Sequence, residues 1–111
     1  MPFYMVQGRY TQAAVKNLIS KPEDRTKAAA AVMKAAGGKL LQYYWCLGDY
    51  DFMSISELPS DEAAVAISMA AGAVGHICDL KTTRLMTAAE AVKAMAAAEG
   101  VAKSLPPPKG K

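Results

Sequence analysis

The feature that most limits the fold lies between Gly38 and Pro59. Two runs of strand-forming residues, 40–47 (Leu-Leu-Gln-Tyr-Tyr-Trp-Cys-Leu) and 50–58 (Tyr-Asp-Phe-Met-Ser-Ile-Ser-Glu-Leu), flank Gly48-Asp49. Two such runs around a tight Gly-Asp turn specify an antiparallel hairpin. A lone hairpin is marginal in water, so this one needs further strands or a helical layer beside it.

The flanking sequence supplies both. Residues 3–11 alternate, with Tyr4, Val6, Gly8 and Tyr10 on one side and Phe3, Met5, Gln7 and Arg9 on the other, which predicts a strand. Over residues 11–20 the period changes, and Ala14, Val15, Leu18 and Ile19 mark a short amphipathic helix. Pro22 predicts a break near Lys21. A second helix should run to about Ala36, with Glu23 and Asp24 in its first turn and Ala28, Ala29, Val32, Met33 and Ala36 as its buried stripe. Gly37-Gly38 should end it.

Ser60 is placed to cap a third helix reaching about Ala71, with Asp61 and Glu62 in its first turn. That helix is apolar nearly all round, so more than one side of it should be covered. Gly72 and Gly75 bracket its exit loop, and residues 76–86 read as a fourth strand. Thr87-Ala88-Ala89-Glu90 is a capping box opening a last helix to about Glu99. The expected division is therefore one domain over residues 1–99 and a Pro/Lys-rich tail over 100–111, extended or disordered around Pro106-Pro107-Pro108.

Strand, helix, two strands, helix, strand, helix is the βαββαβ order of a ferredoxin-like α+β domain with an added C-terminal helix. Its helices cover one face of a four-stranded antiparallel sheet and leave the other bare. Alternation assigns to the bare face Phe3, Met5, Gln7, Arg9, Gln42, Tyr44, Phe52, Ser54 and Ser56. A face of aromatics, methionine and a few polar groups should pair with a second copy. Burying ~400 Å² of apolar surface would contribute on the order of 10 kcal/mol before entropic costs. The polar members would then line an enclosed space between two sheets.

Composition narrows the function classes. The 111 residues suit one domain, and 52% hydrophobic with 21% charged residues describes an ordinary globular chain. Much of the apolar content is alanine, which favours helices more than it fills volume. The net charge of +3 includes Lys103, Lys109 and Lys111 near the end, and no basic face interleaved with aromatics argues for a nucleic-acid partner. No apolar run reaches membrane-spanning length, and the first residues do not have the pattern of a signal peptide. Cys46 and Cys78 are expected as two buried free thiols in a reduced, cytoplasmic protein.

Tyr43-Tyr44-Trp45-Cys46-Leu47-Gly48-Asp49-Tyr50-Asp51 resembles the signature of the GYD-domain proteins, with one residue between the glycine and the Tyr-Asp pair. Tyr10-Thr11, Gly37-Gly38-Lys39-Leu40, Pro59-Ser60-Asp61-Glu62-Ala63-Ala64, Gly72-Ala73-Val74-Gly75 and Thr82-Thr83-Arg84-Leu85 match as well, so the resemblance covers residues 3–95. It implies a bacterial or archaeal protein of unknown biochemical function, grouped by fold with dimeric α/β-barrel proteins. That wider group holds cofactor-free monooxygenases, haem-degrading enzymes and isomerases, as well as proteins with no known activity. The Pro-Lys tail is extra to the pattern, and His76 stands where Gly75 is often followed by asparagine.

The candidate ligand-binding residues are Arg9, Gln42, Tyr44, Tyr50 and Asp51. Gly48 and Asp49 are explained by the turn, but Asp51 among aromatics is a candidate base. Tyr44, with Gln42, should face the interior between sheets, and Arg9 there needs an acidic partner such as Glu57 or an anionic ligand. Asp51, Tyr44 and His76 are the candidate catalytic residues. No metal site is expected, because His76 is the single histidine and alternation sends His76 and Cys78 one way and Asp79 the other. No cofactor is expected either, with haem on His76 a minor alternative. The first reading is a homodimer holding a small organic molecule between its sheets. The alternatives are a cofactor-free monooxygenase or isomerase, and a structural subunit of a larger homo-oligomer, the last motivated by the third helix.

Overall fold

A computed structural model describes residues 1–109 of the chain. The elements in order are β1 (Phe3–Tyr10), α1 (Gln12–Ser20), α2 (Thr26–Ala35), β2 (Lys39–Trp45), β3 (Phe52–Glu57), α3 (Asp61–Val74), β4 (Ile77–Leu85) and α4 (Ala88–Ser104). They form one four-stranded sheet of order β2-β3-β1-β4, with every neighbouring pair antiparallel. This is the ferredoxin-like α+β arrangement with an added helix, its first crossover split into α1 and α2.

The expected caps at Ser60 and Thr87 are present, and Thr11 caps α1 as well. The Thr11 hydroxyl accepts from the Ala14 N–H at 3.3 Å, and the Ser60 hydroxyl from the Ala63 N–H at 3.2 Å. At α4 the capping box is complete, with the Thr87 hydroxyl taking the Glu90 N–H at 3.1 Å and the Glu90 carboxylate taking the Thr87 N–H at 2.9 Å. The start of α2 differs from expectation. Glu23 and Asp24 precede the helix, and the Asp24 carboxylate accepts from the Thr26 N–H at 2.9 Å, an Asx-type contact that holds the chain in a turn for longer than Pro22 alone predicts.

Tyr4, Val6, Gly8 and Tyr10 face the helices, as their alternation predicts. The sequence assignment of β3 was one residue out of phase. Phe52, Ser54 and Ser56 are buried on the helix-covered side, and the bare face carries Met53, Ile55 and Glu57. The register gives the reason: Trp45 pairs with Phe52 and Tyr44 with Met53, and paired residues share a face. The bare face is thus built in rows: Gln42-Ile55-Met5-Thr83, then Tyr44-Met53-Gln7-Lys81. An extra residue at Leu41 and another at Asp79, whose φ is 53°, bulge β2 and β4.

The hairpin is present, but its turn is longer than the two residues expected. The Cys46 N–H donates to the Asp51 carbonyl at 2.8 Å, which leaves residues 47–50 as a four-residue loop with Gly48 at φ 119°. Helix α3 continues through Gly72 and ends at Gly75 in the left-handed conformation. Helix α4 continues past the expected boundary at 99/100, since one glycine costs a helix only about 1 kcal/mol among residues such as Ala102 and Lys103. The last two tail residues, Gly110 and Lys111, lie outside the described residues. The thiols are free, but Cys46 is half-buried and Cys78 exposed, because both belong to the uncovered side of the sheet rather than to its core.

The core is divided in two. Tyr4, Met33, Leu58, Ala64 and Ile67 form one cluster, and Val6, Tyr10, Ala14 and Phe52 the other.

Candidate functional site

Helices α2 and α3 lie over the sheet without filling the space between each other. The gap is lined from α2 by Ala28, Ala29 and Val32, and from α3 by Ala70, Ala71 and Val74, so four of these six side chains are single methyls. Methyl side chains are too short to close that gap. A cavity of about 200 Å³ remains, floored by Val6, Phe52 and Ser54 and bordered by Met33 and Ile67 from the first core cluster. Its lining is largely apolar.

One end of the cavity is polar. The hydroxyls of Tyr10 and Tyr43 hydrogen-bond to each other there. The Tyr43 phenol is pushed well above the usual tyrosine range, first by burial and then by its bond to Tyr10. Arg25 borders the same end, half-buried, and pairs with the Glu23 carboxylate at 3.3 Å. Burial works against its charge, but the Tyr10 hydroxyl and Glu23 outweigh it and keep the guanidinium protonated. His76 lies nearby, since its carbonyl accepts the Thr11 N–H at 3.0 Å and the next residue, Ile77, pairs with Tyr10. Trp45 stacks on the Tyr10 ring with centroids 5.2 Å apart. A guanidinium, two phenols and an imidazole at the end of an apolar slot can receive a carboxylate or another acceptor group.

The residues singled out in the sequence fall elsewhere. Arg9, Gln42 and Tyr44 are exposed on the bare face of the sheet. Arg9 has no ion pair among the described residues, and Glu57 sits opposite Phe3 at the far end of β1. Tyr50 is half-buried in the hairpin loop. Asp51 ties three strands together: its N–H donates to the Gly8 carbonyl at 2.9 Å, its carbonyl accepts from Cys46, and its carboxylate accepts the Tyr10 N–H at 2.9 Å. The Gly-Asp-Tyr-Asp segment therefore has a structural task at the edge of the cavity's polar end, satisfying backbone groups where β3 stops. Tyr44 and His76 are on opposite sides of the sheet, so one chain does not bring the three candidate catalytic residues together. No cluster of three or more metal-ligating side chains is present among the described residues.

Sequence reasoning missed Arg25, Tyr10 and Tyr43 as a group. The available signal was the alanine content of both covering helices, which foretold an unfilled layer.

Comparisons with known proteins bear on the family and the fold. The family model described as GYD domain matches residues 4–95. No curated protein matches the chain. Among solved structures, the crystal structure of protein Atu4242 from Agrobacterium tumefaciens is similar at 12% identity and a TM-score of 0.48, covering 79% of this chain and 94% of that one. No helix among the described residues is long and apolar enough to cross a membrane.

Proposed function

The chain belongs to the GYD-domain family, and from that premise we propose that it is a self-pairing binding protein that holds a small, largely apolar molecule with an acidic end. The observation that carries this reading is the slot between α2 and α3 that ends on Arg25, Tyr10 and Tyr43. Its volume suits on the order of ten non-hydrogen atoms, given about 30 Å³ for a liquid water and tighter packing in protein. The apolar body of the ligand replaces the contacts the alanines do not make. Its acceptor group displaces Glu23 from Arg25, a partly exposed pair of small net worth.

The bare sheet face pairs with the same face of a second copy. Phe3, Met5, Met53, Ile55 and Leu85 are only partly buried in a single chain, which supports a partner over them. The ligand space expected between the sheets gives way to the slot, because stacked sheets about 10 Å apart are filled by their own side chains. Free Cys46 and Cys78 fit a reducing, cytoplasmic setting. A binding role is favoured over catalysis because Asp51 is occupied with backbone and Tyr44 and His76 do not converge.

Octanoate and benzoate are suitable probes, each of about ten non-hydrogen atoms, for which ligand efficiencies give dissociation constants of roughly 1–100 μM. Trp45, the single tryptophan, reports on the site through Tyr10. Titration should change its fluorescence saturably, and Arg25→Ala should weaken binding about tenfold or more, the worth of a charge-assisted hydrogen bond. A saturable change that Arg25→Ala leaves untouched, or no change up to millimolar probe, rules the reading out.

A further inference from the structure

Helix α4 is long, well capped and uncovered. None of its residues is buried; Met95 is 67% exposed, and Leu105, just past its end, 68%. Ala91, Met95, Ala98 and Ala102 recur at steps of four, three and four, which makes one apolar seam. No charge falls within it. In proteins most of a helix's stability comes from packing an apolar face against a partner.

A second uncovered apolar surface lies on α3. Its outward residues Val65 and Met69 are 52% and 71% exposed, and they rim an open groove of about 450 Å³ between α3 and β4. Helix α4 of the same chain contributes no residue to that groove. Only Met86 and Thr87 join β4 to α4, and both bonds of the capping box fix the exit direction. The result is a molecule 61 × 36 × 23 Å, in which α4 is a rod of about 26 Å.

We propose that α4 of one chain docks in the α3–β4 groove of a second copy, antiparallel to α3, and that the exchange is reciprocal. Charge favours that direction. Asp61 and Glu62 occupy the first turn of α3, and Lys103 the last turn of α4. Antiparallel docking brings Lys103 to Glu62, and Glu99 towards Arg84 at the same end of the groove. Size fits a second copy too. A rod of this length covers on the order of 300 Å² on each side of a contact, so the reciprocal pair buries about 1,200 Å² in all, the lower bound for a specific interface. The exchange is independent of the slot and uses a surface separate from the bare sheet face, so together the two interfaces build an assembly larger than a dimer.

The test starts from a Cys46→Ser, Cys78→Ser chain that retains native circular dichroism. One preparation carries Met69→Cys and another Met95→Cys, and the two are mixed and oxidised. A covalent pair between the two different chains is expected. Efficient cross-linking of the Met95→Cys chain to itself would instead mean that α4 pairs with α4, and it overturns the proposal. So does closure within one chain bearing both cysteines, or no cross-link at all. Sedimentation separates this interface from the sheet face. Met95→Glu should reduce the assembly to a dimer, and Met95→Glu with Ile55→Lys to a monomer. An unchanged mass in Met95→Glu defeats the exchange, whereas an unchanged mass in Ile55→Lys defeats only the sheet-face pairing.

Discussion

Filling the slot should make the protein more stable and less able to bind. Ala71 lies on α3 against the cavity of about 200 Å³, and Ala71→Leu adds three carbons to its wall. At about 0.8 kcal/mol per buried carbon the gain is up to ~2.4 kcal/mol, and ordering the leucine side chain returns about 0.5–1. Alanine and leucine are both strong helix formers, so the backbone contributes little. The net is about 1.5 kcal/mol of stabilisation, which for a domain of this size raises Tm by roughly 6–10 °C. Calorimetry measures the shift, and the Trp45 titration with octanoate measures the accompanying loss, expected at tenfold or more. A fall in Tm would mean that α2 and α3 already close on each other, as overpacking costs about 1–3 kcal/mol, and the slot would be gone from the account.

Three further outcomes follow from single sites. The Ser56 hydroxyl is buried on the helix side without a hydrogen-bond partner among the described residues, so Ser56→Ala should stabilise by about 1 kcal/mol in urea denaturation; a loss of that size would show a bond the geometry lacks. Gly38 allows β2 to approach β3 so closely that an added Cβ would sit 2.1 Å from the Glu57 carbonyl oxygen and 2.8 Å from Leu58. The backbone of β3 must move to admit it, so Gly38→Ala should cost about 3 kcal/mol or more, read from the same denaturation curves. The raised Tyr43 phenol carries a sign: an acid held protonated by the fold contributes stability that is complete below the ordinary tyrosine value of 10.0 and is lost as pH rises above it. Ultraviolet titration should therefore show a late tyrosine step above the ordinary value, and Tyr43→Phe should remove it.

Much of the fold was legible because local chemistry decided it. Thr11, Ser60 and Thr87 are followed by free helix N–H groups and satisfy them, so three helix starts fall where the sequence places them. The strict alternation of β1 puts Tyr4, Val6 and Tyr10 inward with no need of tertiary information. The phase of β3 was harder, because Phe52, Ser54 and Ser56 alternate with Met53 and Ile55, and neither set is plainly polar. Only the pairing of Trp45 with Phe52 resolves it. The start of α2 turned on a side-chain bond from Asp24 that competes with the helix.

The site was less legible for a related reason. Arg25 precedes α2, Tyr10 ends β1 and Tyr43 lies within β2, so nothing in their spacing joins them. They meet because β3 and β1 are neighbours and α2 returns over the β2–β3 side of the sheet. Gly48-Asp49-Tyr50-Asp51 drew attention as a motif, and Asp51 serves the site indirectly by holding the Tyr10 backbone. The alanines were visible from the start, but an unfilled layer shows only when two such helices are seen side by side.

Whether the binding space lies beneath the helices is decided by a crystal structure grown with octanoate. Density for the acyl chain is expected between Ala29 and Ala71, with the carboxylate against Arg25 and the Tyr10–Tyr43 hydroxyls. Density for octanoate only between two bare sheet faces, beside Gln42 and Tyr44, would contradict it.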